Sequence, residues 1–168
     1  AVTVDGVFAG EGAIPASKNW SNFWSAKIAT VELTAGKHVI QIDHTGAGAN
    51  IYELRFDYMG QASKVNLAPT EGAYRFHYLP TRIQAEDYDV DNFYSLDGEN
   101  TGGEYRKDDA MDTATDEYDE QHPDGYWETF ERTTLNLRPN EFVTYTVNVE
   151  NAGAYSLQFN ATKNSTVT

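Results

Sequence analysis

The chain is 168 residues long, 40% apolar and 13% aromatic, which suits one domain with a sizeable core. Its 26 acidic side chains against 12 basic ones give a formal net charge of −14. Such a field repels nucleic acid and anionic membrane and favours a neutral ligand, or one held through a cation such as calcium. The absence of cysteine excludes disulfides and thiolate metal sites. No run approaches the roughly 20 apolar residues of a membrane helix, and no signal peptide opens the chain. The start at Ala1 reads as a fragment excised from something larger.

Helix signals are almost absent, and strand signals recur. In chain order they are residues 27–33 (KIATVEL), 38–43 (HVIQID), 51–56 (IYELRF), 142–149 (FVTYTVNV) and 155–161 (YSLQFNA). Most alternate apolar and polar residues, the period of a strand with one buried face. Turn punctuation falls between them, at Ala35-Gly36, Gly46-Ala47-Gly48, Pro139-Asn140 and Asn151-Ala152-Gly153. This spacing predicts an all-β chain, a jelly-roll β-sandwich of two antiparallel sheets. Residues 59–80 differ in texture. Their first half is small and polar like a linker, while Tyr74, Phe76 and Tyr78 alternate like an added strand. A flexible stretch of that length spans ~25 Å. Residues 92–132, with an acidic run from Asp108 to Asp124, are expected to be long loops over one end of the sandwich, where ligand sites usually sit.

Eleven Tyr and three Trp are many for this length. Their flat faces and polar tips suit either a binding surface or a tyrosine-rich core. Trp24 is assigned to the core, and a lone Trp such as Trp20 is more often core than site. Asn50 follows a Gly-Ala-Gly turn that it could simply cap.

A family resemblance weighs these residues differently. Arg82-Ile83-Gln84-Ala85-Glu86-Asp87-Tyr88-Asp89 resembles the opening strand of carbohydrate-binding module family 6, with more distant similarity to family 35. Gly102-Gly103-Glu104-Tyr105-Arg106, followed by Asp109 and Asp112, resembles its GG-x-YR loop. Asn140-Glu141-Phe142-Val143-Thr144-Tyr145 resembles its G-E-W strand, with Phe142 in place of Trp. Earlier in the chain stand motifs that come later in the family: Val4-Asp5-Gly6, the tryptophan loop Asn19-Trp20-Ser21-Asn22-Phe23-Trp24, Leu33-Thr34-Ala35-Gly36-Lys37-His38, and Asn50-Ile51-Tyr52-Glu53-Leu54. Residues 1–58 thus resemble the C-terminal half of such a sandwich and residues 81–168 its N-terminal half, as in a circular permutation, with 59–80 as linker or added strand. A slice of a tandem array gives the same order. Permutation implies a monomer, and a slice implies an exchanged dimer.

The resemblance implies that Tyr105 and Trp20 clasp a sugar ring while Asn50 hydrogen-bonds its hydroxyls. Trp127 has no family counterpart and either extends that site or covers a loop. Sugar C–H faces stack on aromatic rings, and hydroxyls need oriented partners. Calcium is the implied structural ion. Gln84 and Glu86, two apart on a strand, share one face, and Asp57 or Glu53 closes the site where the family places an acid and this chain has Tyr52. The acidic run at 108–120 either holds a second ion or is a solvated loop.

The resemblance implies a secreted, non-catalytic module that binds polysaccharide or oligosaccharide and targets an attached glycoside hydrolase. The competing functions are a glycosidase or lyase in its own right and a structural cell-surface adhesion sandwich. For the first of these, carboxylates are numerous, but none sits in a recognisable catalytic motif.

Overall fold

The computed structural model describes residues 1–17, 23–46, 48–60, 77–102, 105–121, 123 and 125–164. In chain order the strands are β1 (Val2–Val4), β2 (Val7–Gly10), β3 (Ala16–Ser17), β4 (Trp24–Leu33), β5 (Gly36–Asp43) and β6 (Ala49–Tyr58). They continue with β7 (His77–Leu79), β8 (Arg82–Gln84), β9 (Phe93–Tyr94), β10 (Thr113–Gln121), β11 (Trp127–Leu137), β12 (Phe142–Val149) and β13 (Gly153–Asn164). No helix occurs among the described residues. One sheet runs β2-β1-β5-β12-β7, with β9 also on β12. The other runs β10-β11-β6-β13-β3, with β8 on β6 and β4 on β13. Pairing is antiparallel except for β7 on β12 and β3 on β13. The fold is therefore an all-β sandwich.

Each sheet draws strands from both ends of the chain. β1, β2 and β5 pair in one sheet with β7, β9 and β12, and β3, β4 and β6 pair in the other with β8, β10, β11 and β13. In the stretch 59–80, β7 lies parallel to β12 through His77↔Val147 and Leu79↔Val149. Tyr78 is within it, whereas Tyr74 and Phe76 lie outside the described residues.

The five strands read from alternation all form, because their apolar positions close one core. Ile40 and Ile42 of β5, Leu54 and Phe56 of β6, Val143 and Val147 of β12, and Leu157 of β13 are buried together. Several tyrosines belong to that core. Tyr88, Tyr145 and Tyr155 are fully buried, and each hydroxyl has an acceptor: Asp109 Oδ2 at 3.2 Å, the Ala85 carbonyl at 2.6 Å and the Asn151 carbonyl at 2.5 Å. A buried phenol needs such a partner, so part of the tyrosine surplus is structural.

Two expectations are corrected. Trp24 is not core but 55% exposed. It has the parity of Ala26, yet it opens β4 beyond the last layer of apolar side chains. Residues 92–132 are not simply loops either, since β9, β10 and much of β11 fall there. The β10–β11 hairpin pairs in register over nine residues of each strand, from Thr113↔Leu135 to Gln121↔Trp127. Its Thr, Tyr, Phe and Trp residues favour strands, while the acids between them disguised the alternation.

Two carboxylates respond to the fold in opposite directions. Asp5 and Gly6, at φ 50° and 78°, make the two-residue turn between β1 and β2. Asp5 Oδ1 accepts from the Val39 N–H at 2.9 Å, and Oδ2 meets His38 Nδ1 at 2.7 Å. Burial pushes the Asp5 carboxyl up, but these bonds and the His38 charge outweigh it and hold it below its ordinary 3.8. Asp89 accepts from the Thr146 N–H at 3.1 Å, Thr146 Oγ1 at 2.8 Å and Thr144 Oγ1 at 3.3 Å, yet burial dominates and raises it.

The signs follow by linkage. Asp5 adds stability above the unfolded value near 3.8, and that stability is lost as pH falls through its lowered folded value. Ionised Asp89 costs stability at neutral pH, and the cost is relieved as pH falls through its raised folded value toward 3.8. Urea unfolding of Asp5→Asn and Asp89→Asn against wild type, from pH 7 to pH 3, should show this. The Asp5→Asn deficit shrinks with acid, while wild type gains on Asp89→Asn. Parallel trends in the two variants would refute the assignment.

Candidate functional site

The polar cleft of interest lies where the turn before β6 meets the loop before β10 and the end of β11. On β6, Ala49 and Ile51 point into the core, so Asn50 between them faces outward. The ladder places Asn136 of β11 directly beside it, and Thr162 of β13 on its other side. Above these amides Thr101, Gly102, Asp112 and Arg138 complete an open cleft of about 440 Å³.

The walls are held by charge. Asp112 Oδ1 accepts from the Thr101 N–H at 2.8 Å and from its hydroxyl at 2.9 Å, and Oδ2 takes the Arg138 guanidinium. Arg138 also pairs with Asp97. The Arg138 bond holds the Asp97 carboxyl below its ordinary value, and Asp97 and Asp112 together raise the guanidinium further. Behind them buried Glu141 accepts the Leu96 N–H at 3.0 Å and the Arg138 N–H at 2.8 Å. Asp112, the carboxylate of the cleft wall, is thus committed to fixing its shape. Of the lining side chains, the amides of Asn50 and Asn136 present both donors and acceptors to the cleft.

The neighbouring loop is pinned just as firmly. Asn100 Nδ2 donates to Thr113 Oγ1 at 3.1 Å and to the Tyr105 carbonyl at 3.3 Å, while its Oδ1 accepts the Thr113 N–H at 3.2 Å. Gly102 passes so close that a Cβ there would lie 2.4 Å from the Thr113 carbonyl oxygen. Tyr105 is half-buried, and its hydroxyl donates to Asp87 Oδ1 at 2.6 Å. Arg106 follows at φ 50°, with its guanidinium 3.7 Å over the Tyr88 ring.

The structure brings some sequence candidates together and separates others. Asn50 lines the cleft, and the Thr101–Gly102 turn of the Tyr105 loop closes over it. Trp20 lies outside the described residues. Trp127 is 58% exposed at the far end of the hairpin, nine positions along β11 from Asn136, about 30 Å of strand. It therefore does not extend the site at Asn50.

The residues proposed for calcium do not converge. Gln84 sits opposite Glu53 on β6, whereas Asp57 stands four residues further along, about 13 Å away. Asp57 is instead engaged by Arg55 Nε at 2.9 Å and Gln158 Nε2 at 2.8 Å, and Glu53 lies 3.7 Å from Arg82. Glu86 is buried in the turn after β8, with its carbonyl taken by Arg106. Gln84, Glu86 and Asp57 thus do not fit one cation cage. Among the described residues no three acid or histidine side chains cluster as metal ligands.

Thr101, Asn136 and Arg138 are the polar cleft residues that sequence reasoning passed over. The alternation Leu135-Asn136-Leu137 marks Asn136 as outward, but only the β11–β6 register shows that it lies beside Asn50. Compared with family models, with curated proteins and with solved structures, the chain matches none of them.

Proposed function

We propose that the chain is a non-catalytic carbohydrate-binding module whose sugar site is the cleft at Asn50. The observation that carries this reading is the cleft itself: paired outward amides at Asn50 and Asn136, with Thr101 above, beside carboxylates already committed to Arg138. Each amide offers a donor and an acceptor, the complement of adjacent sugar hydroxyls. An open site of this kind sets few hydrogen bonds against the cost of association, so affinity falls on the order of 10 µM to 1 mM. At that strength the module works by tethering, raising the effective concentration of an attached polysaccharide-degrading enzyme at its substrate outside the cell.

A glycan array on the whole chain, followed by affinity gels with the best glycan, tests the proposal. Retardation without turnover, abolished by Asn50→Ala at an unchanged melting temperature, is the expected outcome. Retardation unaffected by Asn50→Ala would remove the cleft from the account, and hydrolysis of the glycan would replace a binding module with an enzyme.

A further inference from the structure

The β10–β11 hairpin stands largely outside the sandwich. Of β11 only Leu135, Asn136 and Leu137 pair with β6, while Trp127 to Leu135 pair with β10. β10 is the edge of its sheet, with no strand on its other side among the described residues. Alternate residues of an antiparallel edge strand turn their N–H and C=O groups away from their partner, so β10 presents a ready ladder for one more strand.

The arm is braced to keep that ladder in place. Tyr118 and Phe130 stack across the strands at 5.7 Å, and Arg132 lies 4.2 Å over the Phe23 ring and 4.8 Å over Tyr118. Arg132 also grips Asp116 through Nε at 3.0 Å and Nη2 at 2.7 Å. An isolated hairpin is marginal in water, so this bracing is what holds the edge extended.

Its charge is one-signed. The two strands carry Asp116, Glu117, Asp119, Glu120, Glu128 and Glu131 against Arg132 alone. Glu117 stands directly opposite Glu131, and Glu120 opposite Glu128, an arrangement that is destabilising in itself. Tyr126 and Trp127 are exposed at the tip.

We propose that the edge of β10, which no described strand covers, docks an extended, lysine- or arginine-rich segment of another protein, which adds to the sheet as a further strand. Main-chain bonds supply the pairing. Basic side chains on alternate residues fall beside the exposed row of Glu117, Asp119 and Glu131, and the aromatic tip receives a cationic head or its aliphatic stem. A second copy of this chain is the wrong occupant, since it would bring the same negative row against itself. This surface is separate from the cleft at Asn50 and does not depend on what that cleft binds.

The test is calorimetric titration of the whole chain with four ten-residue peptides. One alternates lysine with threonine, and one replaces lysine by glutamate. Two are lysine peptides N-methylated on the odd or the even residues. The lysine peptide should bind and weaken about tenfold or more between 50 and 500 mM salt. The glutamate peptide should not bind. N-methylation should abolish binding in one register only, because only one set of N–H groups meets the edge. Glu117→Lys with Glu131→Lys should lose the peptide while keeping the circular dichroism spectrum of wild type. Equal binding of both methylated peptides overturns strand addition in favour of bare charge attraction. Absence of lysine-peptide binding overturns the proposal outright.

Discussion

Arg106→Met should destabilise the domain by about 3–5 kcal/mol, the range for removing one partner of a buried charged network. The Arg106 side chain is only 6% exposed. Its Nε donates to Asp109 Oδ2 at 2.6 Å, and Nη1 donates to the carbonyls of Tyr88 at 2.6 Å and Glu86 at 3.0 Å. Above the Tyr88 ring it also makes a cation–π contact, while Tyr88 donates to the same Asp109. Methionine keeps the stem but takes the guanidinium donor from two carbonyls and leaves the Asp109 carboxylate with the Tyr88 hydroxyl in place of the ion pair. Lysine restores the charge but not the fork, so Arg106→Lys recovers little. Urea unfolding measures both. A loss under about 1 kcal/mol for Arg106→Met would mean that the guanidinium is not the pin it is taken to be.

The second large effect is expected at Gly102. An alanine Cβ would come within 2.4 Å of the Thr113 carbonyl oxygen, a buried backbone atom at the start of β10 that has no freedom to retreat. The loop must therefore move, at a cost of about 2–3 kcal/mol for overpacking. Because Thr101 and Gly102 form one wall of the cleft, Gly102→Ala should weaken sugar binding as well as lower the melting temperature. Gly60→Ala is the matched control. A Cβ there meets nothing within 4 Å, so its effect should stay within about 0.5 kcal/mol. Equal melting temperatures for the two variants would mean that the Gly102 turn tolerates a side chain.

How far the sequence disclosed this architecture depends on what each signal encodes. Period-two alternation in HVIQID or FVTYTVNV is a direct statement about which side chains face a core, and those strands form as read. The same rule misplaces Trp24, because parity reports a side chain's direction but not whether the core reaches that far along the strand. In TATDEYDEQ acids fall on both faces, Glu117 and Asp119 on one and Asp116 and Glu120 on the other, so composition points to a loop. The partners of those residues, Arg132 for Asp116 and Phe130 for Tyr118, appear only once the hairpin register is fixed.

The cleft was half legible for the same reason. Asn50 follows a glycine-rich turn and attracts notice as a candidate, whereas Asn136 is an ordinary polar residue between two leucines until pairing sets it alongside. Asp112 and Arg138 are 26 positions apart in the chain, and nothing local in either says that they meet. The ligands expected for an ion were legible only as spacing. Gln84 and Glu86 have strand spacing, but β8 ends at Gln84, so Glu86 falls in a turn rather than on the same face.

The central claim is that the amides of Asn50 and Asn136 form a sugar-binding cleft. It is tested most directly by calorimetric titration of the best oligosaccharide from the array into wild type and into Asn50→Ala. The prediction is a dissociation constant on the order of 10 µM to 1 mM for wild type and at least about a tenfold loss for the variant, with both melting at the same temperature. Equal affinity in the two proteins, or no affinity of wild type for any glycan, would contradict it.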